Sequence, residues 1–97
     1  MKAILCRAWG PPSSVVLADI PAPQPARGEI VIGVKAAGVN FPDVLIVQGK
    51  YQFKPEPPFS PGAEVAGVIT AVGAGVSEFA VGDRVAASML WGGYREA

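Results

Sequence analysis

A chain of 97 residues supports one small domain around a single modest core, because a domain of this size buries roughly 60 to 70% of its unfolded surface. Eight basic and eight acidic residues cancel and no basic run occurs, which excludes the electrostatic footprint of a nucleic-acid or anionic-membrane partner. One cysteine and no histidine exclude an internal disulfide and remove the usual ligands of zinc, so no metal site is expected.

Twelve glycines and ten prolines are too many for a helical bundle, and a hydrophobic content of 51% is too high for disorder. A β-rich domain is expected. The opening stretch "MKAILCRAWGPP" has an apolar run broken by Arg7, too short for a signal peptide or a membrane span, which predicts a soluble cytoplasmic protein. Ala3 to Ala8 reads as a strand, "GPPS" as a turn, and Val15 to Ile20 as a second strand closing a hairpin. "PAPQPARG" is a proline-rich surface connector without the backbone donors a central strand needs. After it, "EIVIGVKAAGVN" alternates, with Ile30, Ile32, Val34 and Ala36 predicted on a buried face and Val31, Gly33 and Lys35 on the other.

Asn40 has the marks of a helix N-cap, with Pro42 and Asp43 in the first turn and Gly49 as terminator, so a two-turn helix is predicted over Phe41 to Gln48. "KYQFKPEPPFSPG" is a proline-blocked loop carrying Tyr51, Phe53 and Phe59. Ala63 to Val72 returns to strand, with Val65, Ile69 and Ala71 opposite Glu64, Ala66, Val68, Thr70 and Val72. Gly73-Ala74-Gly75 begins a dinucleotide fingerprint, but Glu78 stands where the third glycine belongs and no long helix follows, so it reads as a turn and no phosphate site is expected. "VGDRVAAS" adds a Gly82-Asp83 turn and a short strand, and "WGGYREA" reads as one more strand in progress, hence an incomplete domain. The sum is a mainly β, partly closed barrel of short strands with one short helix.

The ordered set "AAGVNFPDVLIVQGKY", "PFSPGAEVAGVITAVGAGVSEFAVGDRV" and "GGYREA" strongly resembles the N-terminal GroES-like catalytic domain of the medium-chain dehydrogenase/reductases, and among them the zinc-free quinone oxidoreductases related to zeta-crystallin. The likeness runs over essentially the whole chain. Zinc-dependent alcohol dehydrogenases of that superfamily have Cys where this chain has Asn40, His where it has Ala63, and a four-cysteine lobe missing here, so the resemblance implies a zinc-free domain. Loss of zinc favours quinones and enones, whose conjugation spreads the charge of incoming hydride, over simple carbonyls that need Lewis-acid help. The resemblance further implies that NADPH is held by a following Rossmann domain absent from these residues, in a parent enzyme that is homodimeric.

Residue by residue, Asn40 is a plain helix cap or a cap that also stands beside the nicotinamide, as the resemblance implies. Asp43 is a first-turn carboxylate or, by resemblance, a second group in that cleft. Tyr51 packs beside the proline loop or, by resemblance, meets a substrate carbonyl as the catalytic residue. Glu64 is solvent-facing or, if buried, paired with a group such as Arg84; by resemblance it supports the cleft. Cys6 is expected in the core, Trp91 and Tyr94 in packing, and Lys50 and Lys54 on the surface. The expectation is the substrate domain of an NADPH-dependent quinone oxidoreductase, with an enoyl-thioester or alkenal reductase as the rival within the superfamily. A stand-alone GroES-like binding or assembly module is the rival outside enzymology.

Overall fold

Two antiparallel sheets carry the chain in the computed structural model, which describes residues 1–97. Strands β1 (Lys2–Leu5) and β2 (Val16–Asp19) form the first, the expected hairpin, joined through a 3-10 turn at Pro12–Ser14. Strand β1 is shorter than the predicted Ala3 to Ala8. At Cys6 the chain leaves β2 and instead exchanges backbone hydrogen bonds with Phe59, at 2.8 and 3.2 Å, which ties the proline-rich loop to the first strand.

Strands β3 (Ile30–Ala37), β4 (Glu64–Val72) and β5 (Arg84–Ser88) form the second sheet in that order. The alternation predicted for β4 holds: Val65, Gly67 and Ile69 are buried while Glu64, Ala66, Thr70 and Val72 face outward. The face predicted for β3 needs correction. Val31 is the buried residue, Ile30, Ile32 and Val34 are only half-buried, and Ala36 is exposed. Register irregularities between Val31 and Ile32 and between Val34 and Ala36 break the two-residue period, so no single face of the strand stays inward along its length. At Gly67 the β3 backbone comes so near that a Cβ would collide with the carbonyl of Gly33, which is why a side chain is missing there.

Helix α1 (Phe41–Val47) follows Asn40 as predicted and ends before Gly49. Its Ile46 and Val47 pack with Cys6 and Phe59 into a buried cluster, against which Val15 and Tyr51 lean. Cys6 is thus the core residue expected, and burial pushes its thiol pKa upward, opposed in part by a backbone hydrogen bond at Ala8.

The stretch "WGGYREA" does not add a strand. Arg95 makes an isolated bridge to Ala3, Ile4 donates to the Tyr94 carbonyl at 2.9 Å, and Glu96 donates to the Lys2 carbonyl at 3.1 Å. The Glu96 carbonyl in turn accepts from Val34 of β3 at 2.8 Å. The segment is shared between the two sheets rather than extending either, and the result is a partly open barrel. Gly73-Ala74-Gly75 is the turn expected; its Ala74 carbonyl accepts from Gly28 at 2.9 Å. No helix is long and apolar enough to cross a membrane.

Candidate functional site

The start of α1 is organised around one carboxylate. Asn40 is the N-cap, in extended conformation, and Asp43 stands three residues on, the spacing of a capping box. Asp43 is 8% exposed, and its Oδ2 accepts from the Asn40 backbone amide at 2.9 Å and from the Tyr94 hydroxyl at 2.6 Å. Its Oδ1 accepts from the Gly62 amide at 3.2 Å. Buried carboxylates persist only when their lone pairs are met, and here donors from the helix start, the loop before β4 and the C-terminal segment meet them. The Tyr94 ring lies over Gly62, where a Cβ would stand 2.6 Å from it, so a glycine is needed to seat the tyrosine.

The Asn40 carboxamide points elsewhere. Its Nδ2 donates to Glu64 Oε1 at 3.1 Å, at the first residue of β4. Glu64 is exposed, as the simpler expectation had it, and Asn40 rather than Arg84 is its partner. Arg84 sits across from Val68, whereas Ser88 is the residue opposite Glu64.

Asp43 and Tyr51 come together in one recess of about 120 Å³, walled by Pro42, Ile46, Phe53, Ala63, Met89 and Leu90. Tyr51 and Phe53 meet edge to face, with centroids 5.8 Å apart and planes at 63°. Asn40 is not part of that wall; it stands at the neighbouring helix start with Val39 and Phe41, which are 80% and 73% exposed. Lys50 and Lys54 are exposed and Trp91 is partly so. Sequence reasoning missed Phe53, Met89 and Leu90 as lining, and it set Tyr94 aside as packing. Only contacts spanning tens of residues reveal them, apart from the aromatic pair two residues apart in the Tyr51 loop.

Tyr94 is held neutral. Burial, the hydrogen bond to Asp43 and the Asp43 charge, in that order, raise its hydroxyl pKa well above the ordinary tyrosine value. In the unfolded chain a tyrosine loses its proton near pH ~10, before the folded one does, so the folded state binds more protons above that pH. The Tyr94 contribution to stability is therefore whole below about pH 10 and is lost as the pH rises further. Denaturant unfolding between pH 8 and 11 should show a fall in stability that is smaller in Tyr94→Phe; equal slopes in the two proteins would contradict it.

Residues 26–96 match the family described as the alcohol dehydrogenase GroES-like domain. The chain is 44% identical to a quinone oxidoreductase of Lama guanicoe over 98 residues, covering 99% of this chain and 30% of that protein. It is 42% identical over 91 residues to an alcohol dehydrogenase of Moraxella sp. (strain TAE123), covering 94% of this chain and 26% of that one. Among solved structures, the Escherichia coli quinone oxidoreductase complexed with NADPH superposes with a TM-score of 0.91 at 34% identity, over 99% of this chain and 29% of that chain. The chain thus spans less than a third of the length of these relatives.

Proposed function

Because the chain belongs to the alcohol dehydrogenase GroES-like domain family, we propose that it is the substrate-side domain of an NADPH-dependent oxidoreductase that reduces quinones or other α,β-unsaturated carbonyls. The observation that carries this is the apolar recess holding Tyr51, whose hydroxyl makes no hydrogen bond within the chain, in a domain 44% identical to a quinone oxidoreductase. A planar conjugated ring suits a wall made of Tyr51, Phe53, Leu90 and the adaptable thioether of Met89. Tyr51 then donates a hydrogen bond to the acceptor carbonyl and steadies the charge that develops on its oxygen.

The nicotinamide cofactor, when bound, supplies the hydride. The residues present fit one end of it: the exposed Asn40 carboxamide, flanked by exposed Val39 and Phe41, offers polar and apolar contacts to an amide-bearing ring. Asp43 serves the same end by holding the Asn40 backbone, its own oxygens being engaged by the chain. The phosphates find no cradle, since the Gly73-Ala74-Gly75 turn opens no helix; in this proposal a separate cofactor domain of a homodimeric, cytoplasmic parent binds them. For a metal the chain offers no donor set: it has no histidine, its one cysteine is in the core, and no three acidic or sulfur groups converge. Zinc therefore has no place in the proposed chemistry of this chain.

The test uses NADPH fluorescence and absorbance with benzoquinone as acceptor. This chain should neither hold NADPH tightly nor oxidise it, while a polypeptide that also carries the cofactor domain should oxidise NADPH when the quinone is added. In that enzyme Tyr51→Phe should lower kcat about tenfold, the worth of one hydrogen bond of ~1.4 kcal/mol made in the transition state. Oxidation by this chain alone would refute the two-domain arrangement, and an inert longer enzyme would refute quinone reduction.

A further inference from the structure

We infer that Tyr94 is a positioning residue of the candidate site, acting through Asp43 on Asn40; this rests on the proposal that Asn40 faces the cofactor. A single oxygen carries the link. Asp43 Oδ2 accepts both from the Tyr94 hydroxyl, at 2.6 Å, and from the Asn40 amide, at 2.9 Å. Wherever the hydroxyl holds that oxygen, the N-cap backbone must follow, because the carboxylate turns about one bond and its other oxygen is fixed by Gly62 at 3.2 Å. Tyr94 cannot drift, since its ring rests on the Gly62 backbone and the carbonyl of its own residue accepts from Ile4 at 2.9 Å.

Asn40 then has two restraints of different origin. Its backbone is set by Asp43 and therefore by Tyr94, and its carboxamide is set by Glu64 at 3.1 Å. A short hydrogen bond from a half-buried phenol to a carboxylate is among the stronger neutral-to-charged kinds, and it reaches across 51 residues of sequence to the helix start. Packing alone would be served equally by phenylalanine. The hydroxyl has a use only in holding the carboxylate, and the carboxylate is what orders the residue proposed to meet the nicotinamide.

Hydrogen exchange read by NMR on the 97-residue chain separates this from a role in stability. In Tyr94→Phe the Asn40 amide should exchange at least tenfold faster over and above any acceleration it shares with the Val31 and Ile69 amides; Asp43→Asn should show the same selective release. An unchanged Asn40 amide overturns the inference. So does uniform acceleration of all amides in both variants, because the hydroxyl then holds the fold rather than one residue. In the enzyme carrying the cofactor domain, Tyr94→Phe should lower kcat about tenfold with KM for benzoquinone unchanged, and should add nothing in an Asn40→Ala background. Multiplying effects overturn the link from Tyr94 to Asn40. If Asn40→Ala leaves kcat intact while Tyr94→Phe still frees the Asn40 amide, the role proposed for Asn40 fails and the structural link stands.

Discussion

Asp43→Ala should destabilise the domain by about 3 kcal/mol or more, lowering its melting temperature by over ~10 °C, as followed by circular dichroism. The substitution removes one small side chain but abandons the Gly62 amide, the Asn40 amide and the Tyr94 hydroxyl together. A buried donor without a partner costs about 1–3 kcal/mol, and of these the Gly62 amide is the one in a fully buried residue. The Asn40 amide and the Tyr94 hydroxyl are nearer solvent and recover part of their loss from water. Against a total stability of about 5–15 kcal/mol for a small domain, this change alone removes a large fraction. Loss of less than about 1 kcal/mol would show that water replaces the carboxylate at all three donors.

Gly67→Ala should be comparably severe for a different reason. The added methyl would collide with the Gly33 carbonyl and stand 2.9 Å from the Ile32 methyl, in the middle of the β3 and β4 ladder. Backbone cannot step aside as a flexible side chain can, so the two strands must part locally and surrender ladder hydrogen bonds. The expected cost is about 3 kcal/mol with weakened strand signal in circular dichroism. Gly33→Ala is the comparison, since its Cβ would meet the Thr70 methyl at 3.0 Å, a side-chain end that can turn. A Gly67→Ala protein as stable as Gly33→Ala would mean the strands separate without penalty.

These two positions illustrate what was legible in the sequence. Helix α1 was readable because its signals are local: Asn40, Pro42, Asp43 and Gly49 lie within ten residues and each acts on the backbone beside it. The β4 pattern was readable because the strand has neighbours on both sides and its register with β5 runs without interruption. Strand β3 was not, because its bulges arise from pairing with β4 and leave no mark in its own composition. Of the candidate site, Asp43 and Tyr51 were named from sequence and share a recess, whereas Tyr94 was passed over because its partner lies 51 residues away. Opposite charge makes Arg84 a natural partner for a buried Glu64, but Glu64 is exposed and strand register places Arg84 beside Val68.

The segment from Tyr94 to Glu96, which donates to or accepts from both sheets, also has a bearing on how the chain acquires its shape. Its bonds to Lys2 and Ile4 close a loop of about ninety residues, and closure entropy must be met before those bonds return anything. The β1 strand leaves the ribosome before β3, β4 and β5, yet it lacks a full set of partners until Tyr94 to Glu96 has emerged. Its hairpin with β2 is a two-stranded ribbon, marginal in water without further support. Assembly of this domain is thus governed by long-range closure, and β1, though it precedes the other strands along the chain, is among the last to be secured.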